Sequence, residues 1–327
     1  MISIKTTTGL SFNADVGKSI VDGAIAAGIC YPYSCKTGRC KTCKCKVVSG
    51  ETKLLSDELG LTDAEKADGW ILGCVREPIS DLAIETTGVS KLPMPQIKLL
   101  PCRISVLELL STDVIKVVLR LPPNNPFQYY SGQYVDVIRG DLRRSYSVAN
   151  ACGEDGLLEL HIKRFNGGQM SEYWFEQAKV NDLLRLNGPL GTFFLRDYSG
   201  KDLIFLATGT GFAPVKAILE SLSQVKSEEL PSSVKVYWGG RIASDLYAVL
   251  PDITFPYTFQ RVLSRSSDGD VQGYVQDACL GDAVDFQNAQ VFACGSNAMI
   301  EDARSLLVKA GLEEAEFYSD AFVCSAS

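Results

Sequence analysis

The stretch from Tyr33 to Lys46, with the sequence Y-S-C-K-T-G-R-C-K-T-C-K-C-K, decides the fold of the first part of the chain. Three of its cysteines have the spacing C-x4-C-x2-C and a fourth follows after a long interval: Cys35, Cys40, Cys43 and Cys74. This spacing predicts a 2Fe-2S cluster, because two tetrahedral irons need four thiolates on a small fixed frame and a tight loop can supply three of them. Gly38 lies where the backbone has to pass close to the cluster, and a positive φ costs a glycine little.

A structural zinc site is the alternative interpretation of these cysteines. Zinc sites of this kind often use two C-x2-C pairs, whereas this stretch has one such pair after a four-residue gap. Cys45 lies two residues beyond Cys43, so on an outgoing strand both side chains point to the same face. We expect Cys45 and Cys30 to be small buried side chains, and their roles stay open.

Composition is that of an ordinary globular protein, with 46% hydrophobic and 22% charged residues. A chain of 327 residues can form two or three domains with their own cores. We find no run of eighteen apolar residues and no leader-like segment, so we expect neither a membrane span nor secretion. Eleven cysteines without disulfide spacing indicate a reducing compartment, and we expect the cytoplasm. The net charge of -7 argues against binding to nucleic acid.

Basic residues crowd the cysteine loop, and no acidic residue occurs between Asp22 and Glu51. The residues that concern us are Lys36, Arg39, Lys41 and Lys44. Such a run is often only a solvated face. Our hypothesis is that it forms a docking rim for an acidic electron-acceptor protein, because charged rims steer weak and transient encounters.

Hydrophobic patterning predicts three domains: residues 1–92, then a proline-containing linker at 93–101, then 102–198 and 199–327. The first begins with two short strands and a helix from about Lys18 to Ala27, which Asp15 or Ser19 could cap.

Short, closely spaced strands in the second domain, the first from Arg103 to Leu110, predict an antiparallel β-barrel. Strands and helices alternate in the third, which predicts a doubly wound parallel sheet. Its helices are expected at 215–223, 245–249 and 297–310.

Two motifs in the second domain predict a nucleotide site. The first is Arg143-Arg-Ser-Tyr-Ser147, in which an arginine can pair with a phosphate, a tyrosine can stack on a flat ring and a serine can reach a ring nitrogen. The second is Asn166-Gly-Gly-Gln-Met-Ser171, a glycine turn that opens a helix. The free N-H groups of such a turn form a pyrophosphate site.

Two turns of the third domain are expected to share one edge of its sheet. Residues 203–214, L-I-F-L-A-T-G-T-G-F-A-P, form a strand, a glycine turn and a helix start with Pro214 in the first turn. The dinucleotide fingerprint is incomplete, because proline replaces its third glycine and no acid stands at the expected distance. Residues 293–299, A-C-G-S-N-A-M, end a later strand, so the switch-point rule places a ligand between the two turns.

The order of these motifs resembles the ferredoxin-NADP reductase superfamily over the whole chain, in the form with an N-terminal plant-type 2Fe-2S domain of β-grasp fold. The reductases of 3,6-dideoxyhexose biosynthesis are especially similar, in the motifs that begin at Ser131, Arg143, Gly209, Ala293 and Tyr318. The resemblance implies electron flow from NADH or NADPH through FAD and 2Fe-2S to a partner. It implies a pyridoxamine-phosphate-dependent iron-sulfur dehydratase as that partner.

Two other functions stay open beside this one. The first is the reductase component of an aromatic-ring oxygenase, which would use the same cofactors with a different partner. The second is a non-catalytic carrier or scaffold whose C-terminal half binds no cofactor. Preference for NADH or NADPH is open too, because Arg241 could take a 2'-phosphate but also occurs in NADH-using relatives.

The resemblance also implies roles for individual residues. FAD would be bound by Arg144, Ser145, Tyr146, Ser147, His161 and Lys163, its pyrophosphate by Gly167, Gly168, Met170 and Ser171, and its ring would be shielded by Phe322. The nicotinamide dinucleotide would be bound by Thr208, Gly209, Thr210, Gly211, Pro214, Cys294, Gly295 and Met299. The catalytic side chains would be Ser147, near the flavin N5, and Cys294, beside the nicotinamide.

Overall fold

The computed structural model describes residues 1–248 and 250–322. The chain divides into two compact units. The first unit is Met1–Met94 together with the segment that begins at Ser319, and the second is Pro95–Tyr318. We describe each unit by itself.

The first unit is a small mixed sheet with two short helices. Its strands are β1 (Ile2–Thr6), β2 (Ser11–Ala14), β3 (Lys44–Ser49), β4 (Thr52–Leu54), β5 (Trp70–Leu72), β6 (Arg76–Pro78) and β7 (Leu82–Glu85). Its helices are α1 (Ile20–Ala26) and α2 (Asp63–Ala67). Five strands form a sheet in the order β2-β1-β7-β3-β5, and β4 pairs with β6.

Local chemistry sets the limits of α1. The Ser19 side chain accepts a hydrogen bond from the Asp22 N-H at 3.0 Å, so Ser19 is the N-cap and Asp15 is not. The helix buries Ile20 against the sheet, where Ile4 and Ile84 are also fully buried. Burial of this apolar stripe stabilises a helix that is too short to persist alone.

The second unit begins with an antiparallel barrel. Its strands are β8 (Lys98–Leu109), β9 (Val114–Arg120), β10 (Tyr134–Arg139), β11 (Leu142–Ser147), β12 (Leu157–Lys163) and β13 (Leu183–Leu190). Their order is β11-β10-β13-β8-β9-β12. A bridge between Val148 and Leu160 joins the two outer strands, which closes the barrel. The helix α3 (Gln169–Glu172) continues as a π-helix at Tyr173–Gln177.

Two features of the barrel differ from the expectation. The strand β8 begins at Lys98, inside the segment expected to be a linker, because Leu100 and Cys102 are buried in the barrel core. The strand β13 was not predicted, because its sequence contains Asn187-Gly-Pro189, which usually indicates a turn. It lies in the middle of the sheet between β10 and β8.

The remainder of the second unit is a parallel sheet with helices. The strands are β14 (Asp202–Thr208), β15 (Ser233–Gly240), β16 (Thr258–Leu263), β17 (Val271–Gln272), β18 (Ala289–Ser296) and β19 (Phe317–Phe322), in the order β17-β16-β15-β14-β18-β19. Of β19, only Phe317 and Tyr318 are assigned to this unit. The helices are α4 (Phe212–Leu222), α5 (Val275–Gly281) and α6 (Asn297–Lys309). The predicted fold class, a β-grasp domain, an antiparallel barrel and a doubly wound parallel sheet, is confirmed.

The helix expected at 245–249 is wrong. A single 3-10 turn, Ala243–Asp245, stands at its start, and Val249 lies outside the described residues. The Asp245 carboxylate accepts the N-H groups of Arg241 at 2.7 Å and Ile242 at 3.3 Å. These hydrogen bonds close a tight turn over residues 241–245. The Asp245 side chain is therefore engaged by residues that precede it and does not cap a helix that follows it. The helix α4 begins three residues earlier than expected, at Phe212.

We predict that Ile104→Ala destabilises the barrel and Leu109→Ala does not. Both residues lie on β8, but Ile104 is fully buried and Leu109 is 65% exposed. Truncation at Ile104 should lower the free energy of unfolding by about 2–5 kcal/mol, and truncation at Leu109 by less than about 0.5 kcal/mol. Urea unfolding of the FAD-loaded protein, followed by flavin fluorescence, measures both, and equal losses would contradict the assignment of the core.

Candidate functional site

The first unit brings the four predicted cluster ligands to one end of its sheet. Cys35, Cys40 and Cys43 lie in the loop between α1 and β3, and Cys74 follows β5. The Gly73 N-H donates to the Cys43 carbonyl at 3.0 Å, which joins the two segments. Backbone N-H groups also point at sulfur, since Cys35 N lies 3.4 Å from Cys40 Sγ.

The four thiols form two pairs, Cys35 with Cys40 and Cys43 with Cys74. A hydrogen bond from Cys40 lowers the pKa of the Cys35 thiol to about 5, against the effect of burial. The hydrogen bond with Cys35 and burial both raise the pKa of the Cys40 thiol. The hydrogen bond with Cys74 and burial both raise the pKa of the Cys43 thiol. In the described chain, no three His, Cys, Asp or Glu side chains surround one metal-ion position. This donor set of two thiol pairs fits a cluster with two irons and four thiolates.

Gly38 allows the cluster loop to fold tightly. Its φ is +71°, and a Cβ at this position would lie 2.3 Å from the Asp57 carbonyl oxygen. Only glycine therefore suits the site. Cys45 and Cys30 are almost fully buried, at 0% and 1% exposure, as small core side chains are. Burial raises the pKa of the Cys45 thiol to about 12.

Sequence reasoning missed a buried ion pair beside the cluster loop. The Glu58 carboxylate accepts the Leu72 N-H at 2.7 Å and a hydrogen bond from the Arg76 guanidinium at 2.6 Å. Glu58 is only 5% exposed. Its two bonds hold the segment on both sides of Cys74. Only the chain fold brings Glu58 to this segment, so no local pattern could have indicated it.

Acidic side chains compensate most of the basic residues around the cluster loop, and the docking rim stays a prediction. Lys36 pairs with Asp22 at 2.5 Å, while Lys44 and Lys41 pair with Glu65 at 2.8 and 3.3 Å. Arg39 has no acidic partner among the described residues.

The first turn of α2 explains why Glu65 stands among these lysines. Its Oε2 accepts the Thr62 N-H at 2.8 Å in a capping box, which leaves Oε1 for Lys44 and Lys41. Burial opposes ionisation, but the Lys44 hydrogen bond outweighs it and the pKa of Glu65 falls to about 2. The acids come from α1 and α2, outside the basic run, so the sequence pattern did not show them.

Side chains of β11 divide between protein contacts and the predicted flavin site. The Asp136 carboxylate accepts hydrogen bonds from Arg143 at 2.8 Å and from the Ser145 hydroxyl at 2.6 Å. Arg144 projects from the opposite face, since faces alternate along a strand. The hydroxyl of Tyr146 accepts the indole N-H of Trp174 at 2.9 Å, and burial raises the pKa of Tyr146 to about 12. The buried Ser147 ends the strand.

His161 and Lys163 on β12 are both bound by protein groups. The side chain of His161 is 2% exposed, with Nε2 2.7 Å from the Glu159 carboxylate and Nδ1 3.0 Å from the Tyr247 hydroxyl. Burial lowers the pKa of His161, although Glu159 acts in the other direction. Lys163 pairs with Asp113 at 3.0 Å. Neither side chain is a free hydrogen-bond donor toward a flavin in this arrangement.

The glycine turn after β12 offers backbone groups. Gly168 is the N-cap of α3, and no side chain forms a capping hydrogen bond with the first N-H groups of this helix. Met170 is 2% exposed in the barrel core, so it can offer only its N-H group. The Ser171 hydroxyl accepts the Phe165 N-H at 2.7 Å. Free N-H groups at a helix start suit an anion.

The two predicted turns of the parallel sheet meet, because β14 and β18 are neighbours and pair Ala207 with Cys294. A Cβ on Gly211 would lie 2.2 Å from the Cys294 carbonyl oxygen, so the turns interlock only with glycine at this position. The Thr208 hydroxyl accepts the Ser296 N-H at 3.4 Å. The 3-10 turn Gly209–Gly211 contains Thr210 and leads into α4, whose first turn contains Pro214.

The start of α4 has no side-chain cap, but its Phe212 N-H is bonded to the Gly209 and Thr210 carbonyls and Pro214 has no N-H. A phosphate at this helix start would therefore be bound mainly by N-H groups of the preceding turn. Cys294 is fully buried and Met299 is 7% exposed. Trp238 was not predicted, yet its indole N-H donates to the Gly209 carbonyl at 3.0 Å. It also stacks on Phe212 with 4.1 Å between ring centroids, which supports the turn from behind.

Phe322 is the last described residue, and it is 39% exposed. It belongs to the first unit, in which the Ser34 hydroxyl donates to the buried Asp320 carboxylate at 2.6 Å, next to Cys35. Its role toward a flavin stays a prediction. No helix in the described parts of the chain is both long and apolar enough to cross a membrane.

Models of three known families match successive parts of the chain. The "2Fe-2S iron-sulfur cluster binding domain" matches residues 4–78. The "Oxidoreductase FAD-binding domain" matches residues 101–195. The "Oxidoreductase NAD-binding domain" matches residues 205–305. These matches confirm the predicted set of cofactors, and the alternatives of a zinc protein and of a carrier without flavin are wrong.

Full-length relatives have the same order of domains. The CDP-6-deoxy-L-threo-D-glycero-4-hexulose-3-dehydrase reductase of Yersinia pestis is 37% identical over 97% of this chain and 97% of its own. The xylene/toluene monooxygenase electron transfer component XylA of Pseudomonas putida is 30% identical over 96% of this chain and 91% of its own. The crystal structure of the Amycolatopsis cytochrome P450 reductase GcoB is similar with a TM-score of 0.78 at 27% identity, covering 98% and 99% of the two chains.

We predict that Cys43→Ser abolishes the cluster and Cys45→Ser does not. Cys43 forms a thiol pair with Cys74, whereas Cys45 is a fully buried core side chain. The loss of one of four thiolates removes one of the two protein ligands of one iron. Iron and sulfide analysis with visible absorbance measures cluster content. Loss of the cluster in Cys45→Ser, or its retention in Cys43→Ser, would contradict the ligand assignment.

We predict that Gly211→Ala weakens nicotinamide nucleotide binding, because the added Cβ would push the turn away from the Cys294 carbonyl. The Kd for the nucleotide should rise about tenfold or more, a cost of about 1.4 kcal/mol. The matched control is Gly281→Ala, where no atom lies within 4 Å of the added Cβ. Flavin absorbance titrated with nucleotide measures both variants, and equal Kd values would contradict the role of the turn.

Proposed function

The chain belongs to the ferredoxin-NADP reductase superfamily, in the form with an N-terminal 2Fe-2S domain, and we propose that it reduces an iron-sulfur dehydratase of 3,6-dideoxyhexose biosynthesis. It is an FAD- and 2Fe-2S-containing reductase that uses a nicotinamide nucleotide. The proposal concerns its partner, its pathway and its site residues. We expect the partner to bind pyridoxamine phosphate and to hold the sugar intermediate that is finally reduced.

The identity to full-length relatives carries this proposal. Identity is 37% to the Yersinia pestis dehydrase reductase, against 30% to the xylene/toluene monooxygenase component. Both relatives align over more than nine-tenths of the chain, so the difference does not come from a missing domain. It supports the dideoxyhexose partner over an aromatic-ring oxygenase, which is the second candidate.

The proposed site has two turns that bind the nicotinamide dinucleotide and one strand that binds FAD. The turn at Thr208–Gly211, just before α4, offers N-H groups to the phosphates. Arg144 and the N-H groups near Gly168 do the same for FAD. The bound cofactors supply hydride transfer, the division of an electron pair and one-electron storage. The residues bind, orient and exclude water.

The scarcity of acid-base side chains agrees with this chemistry. The chain has one histidine, His161, and both of its ring nitrogens are engaged by Glu159 and Tyr247. Hydride transfer depends on close approach of the two rings, at about 3–3.5 Å, and needs little proton transfer from the protein. Ser147 and Cys294 are therefore proposed to contact the reacting rings and not to move protons.

The partner is proposed to dock at the cluster loop, with Arg39 as the principal charge. Lys36, Lys41 and Lys44 already have carboxylate partners in the chain. The side chains of these pairs are 21–38% exposed, so a partner carboxylate can reach the lysines and compete with Asp22 or Glu65. Arg39 has no carboxylate partner among the described residues, so a partner carboxylate can bind it without replacing one.

A partner-exchange experiment tests the proposed function. NADH-reduced protein is mixed anaerobically with the dehydrase that the Yersinia relative serves, or with the oxygenase component that XylA serves, and reoxidation is followed by stopped-flow absorbance. We expect the dehydrase to be reduced at least about tenfold faster, which corresponds to about 1.4 kcal/mol in the barrier. Faster reduction of the oxygenase component would favour the second candidate.

We predict that Arg39→Glu slows electron transfer to the partner about threefold or more at low salt, with a smaller effect at high salt. Reduction of a small dye at the flavin should not change. The control is Lys5→Glu, an exposed lysine on β1 outside the cluster loop. Stopped-flow rates over a range of ionic strength measure both. Equal loss of partner and dye reduction in Arg39→Glu would contradict docking at this loop.

A further inference from the structure

Tyr247 connects the barrel and the parallel sheet within the second unit. Its hydroxyl lies 3.0 Å from Nδ1 of His161, on the barrel strand β12. Its ring meets the His161 ring edge-on, with 5.4 Å between centroids. It also meets the Trp238 ring edge-on, with 5.3 Å between centroids. Tyr247 is partly buried against the core that contains Cys294.

Trp238 transmits this contact to the proposed dinucleotide turn. Its indole N-H donates to the Gly209 carbonyl at 3.0 Å, and its ring stacks on Phe212 with an interplanar angle of 15°. Gly209 begins the turn and Phe212 begins α4. A shift of Tyr247 therefore displaces the Trp238 ring that supports the turn, because closely packed aromatic rings leave no free space.

Glu159 fixes the other end of the chain of contacts. Its carboxylate lies 2.7 Å from His161 Nε2 and 3.1 Å from Lys216 Nζ on α4. Burial would raise the pKa of Glu159, but His161 and Lys216 outweigh it and the pKa falls to about 2. The ionised carboxylate accepts a hydrogen bond from Nε2-H, so in the neutral ring Nδ1 accepts a hydrogen bond from the Tyr247 hydroxyl.

The same network reaches the proposed flavin strand. Lys216 also donates to the Ala149 carbonyl at 3.0 Å. Ala149 N donates to the Glu159 carbonyl at 2.7 Å, two residues after Ser147. The segment that follows Ser147 and the turn at Gly209 are thus connected through the side chains of Lys216, Glu159, His161, Tyr247 and Trp238.

We propose that Tyr247, held by His161 and Glu159, is a positioning residue that sets the dinucleotide turn against the flavin strand for hydride transfer. The inference rests on the proposed assignment of residues 208–211 to the nicotinamide dinucleotide. Hydride transfer depends steeply on the separation of the two rings, so a small displacement of the turn lowers the rate even when the nucleotide still binds.

The test compares Tyr247→Phe, His161→Gln and the double variant with the unmodified protein, all loaded with FAD. The matched control is Tyr237→Phe. Its hydroxyl donates to Asp282 at 2.6 Å on the same sheet, so the control loses a similar hydrogen bond away from the turn. Stopped-flow flavin reduction by NADH gives the limiting rate and the apparent Kd. Hydrogen-deuterium exchange without nucleotide reports on residues 208–212.

We expect the limiting rate to fall about 5- to 10-fold in each single variant, the effect of one lost hydrogen bond, while the apparent Kd changes less than about twofold. The double variant should be no slower than the slower single variant, because both changes break one contact. Exchange at residues 208–212 should rise in Tyr247→Phe and not in Tyr237→Phe.

Three outcomes would overturn the inference. The first is an unchanged limiting rate with unchanged exchange in Tyr247→Phe. The second is an equal loss in Tyr237→Phe, which would indicate general destabilisation. The third is additive losses in the double variant. If the unmodified protein bleaches with NADH, these outcomes contradict the positioning role alone. If it is bleached by neither NADH nor NADPH, the proposed assignment of residues 208–211 to the nicotinamide dinucleotide fails, and the positioning role fails with it.

Discussion

The pairing of β3 with β5 is the contact on which the electron-transfer end of the molecule depends. The register pairs Lys44 with Leu72. Cys43 comes just before Lys44 and Cys74 comes two residues after Leu72, so both cysteines lie beyond the same end of this strand pair. The Gly73 N-H donates to the Cys43 carbonyl and completes the connection. Cys43 and Cys74 are far apart in the sequence and become a pair through this strand pairing, whereas Cys35 and Cys40 already lie in one loop. The Glu58 carboxylate reinforces it by holding the Leu72 N-H in a buried site.

In the second unit, a pair of parallel strands brings together two turns that are distant in the sequence. Because β14 and β18 are neighbours, their carboxyl ends leave the turns at Gly211 and Cys294 in contact. Ligands bind at this edge in open parallel sheets. His161 is bound from two sides and serves structure, so the chemistry left to this unit is the orientation of cofactors. The chain is thus organised around close approach of redox groups, with little general acid-base apparatus.

Local chemistry explains which features could be predicted from the sequence. The cysteine spacing, the tight turn at Gly38 and the glycine turn before α4 are set by residues close together in the chain, so their patterns are readable. The strand β13 was not predicted, because Asn187-Gly-Pro189 favours a turn when neighbouring strands are unknown.

Contacts between distant residues account for the other differences. The paired lysines, the Glu58 ion pair and the Tyr247 contact join segments that only the fold brings together. The sequence did not show that the lysines of the basic run are paired, because Asp22 and Glu65 lie outside that run. Charge patterns in one loop therefore do not give the net field at that loop, since neighbouring helices can supply the counter-charges.

An anaerobic titration with NADH, followed by visible absorbance and low-temperature EPR, tests the central claim most directly. The claim is that electrons pass from the nucleotide through FAD to a 2Fe-2S cluster held by the two thiol pairs. The predicted result is bleaching of the flavin together with a reduced 2Fe-2S signal. Bleaching of the flavin without that signal would contradict the claim, because the electrons would then remain on FAD and not reach the thiol pairs.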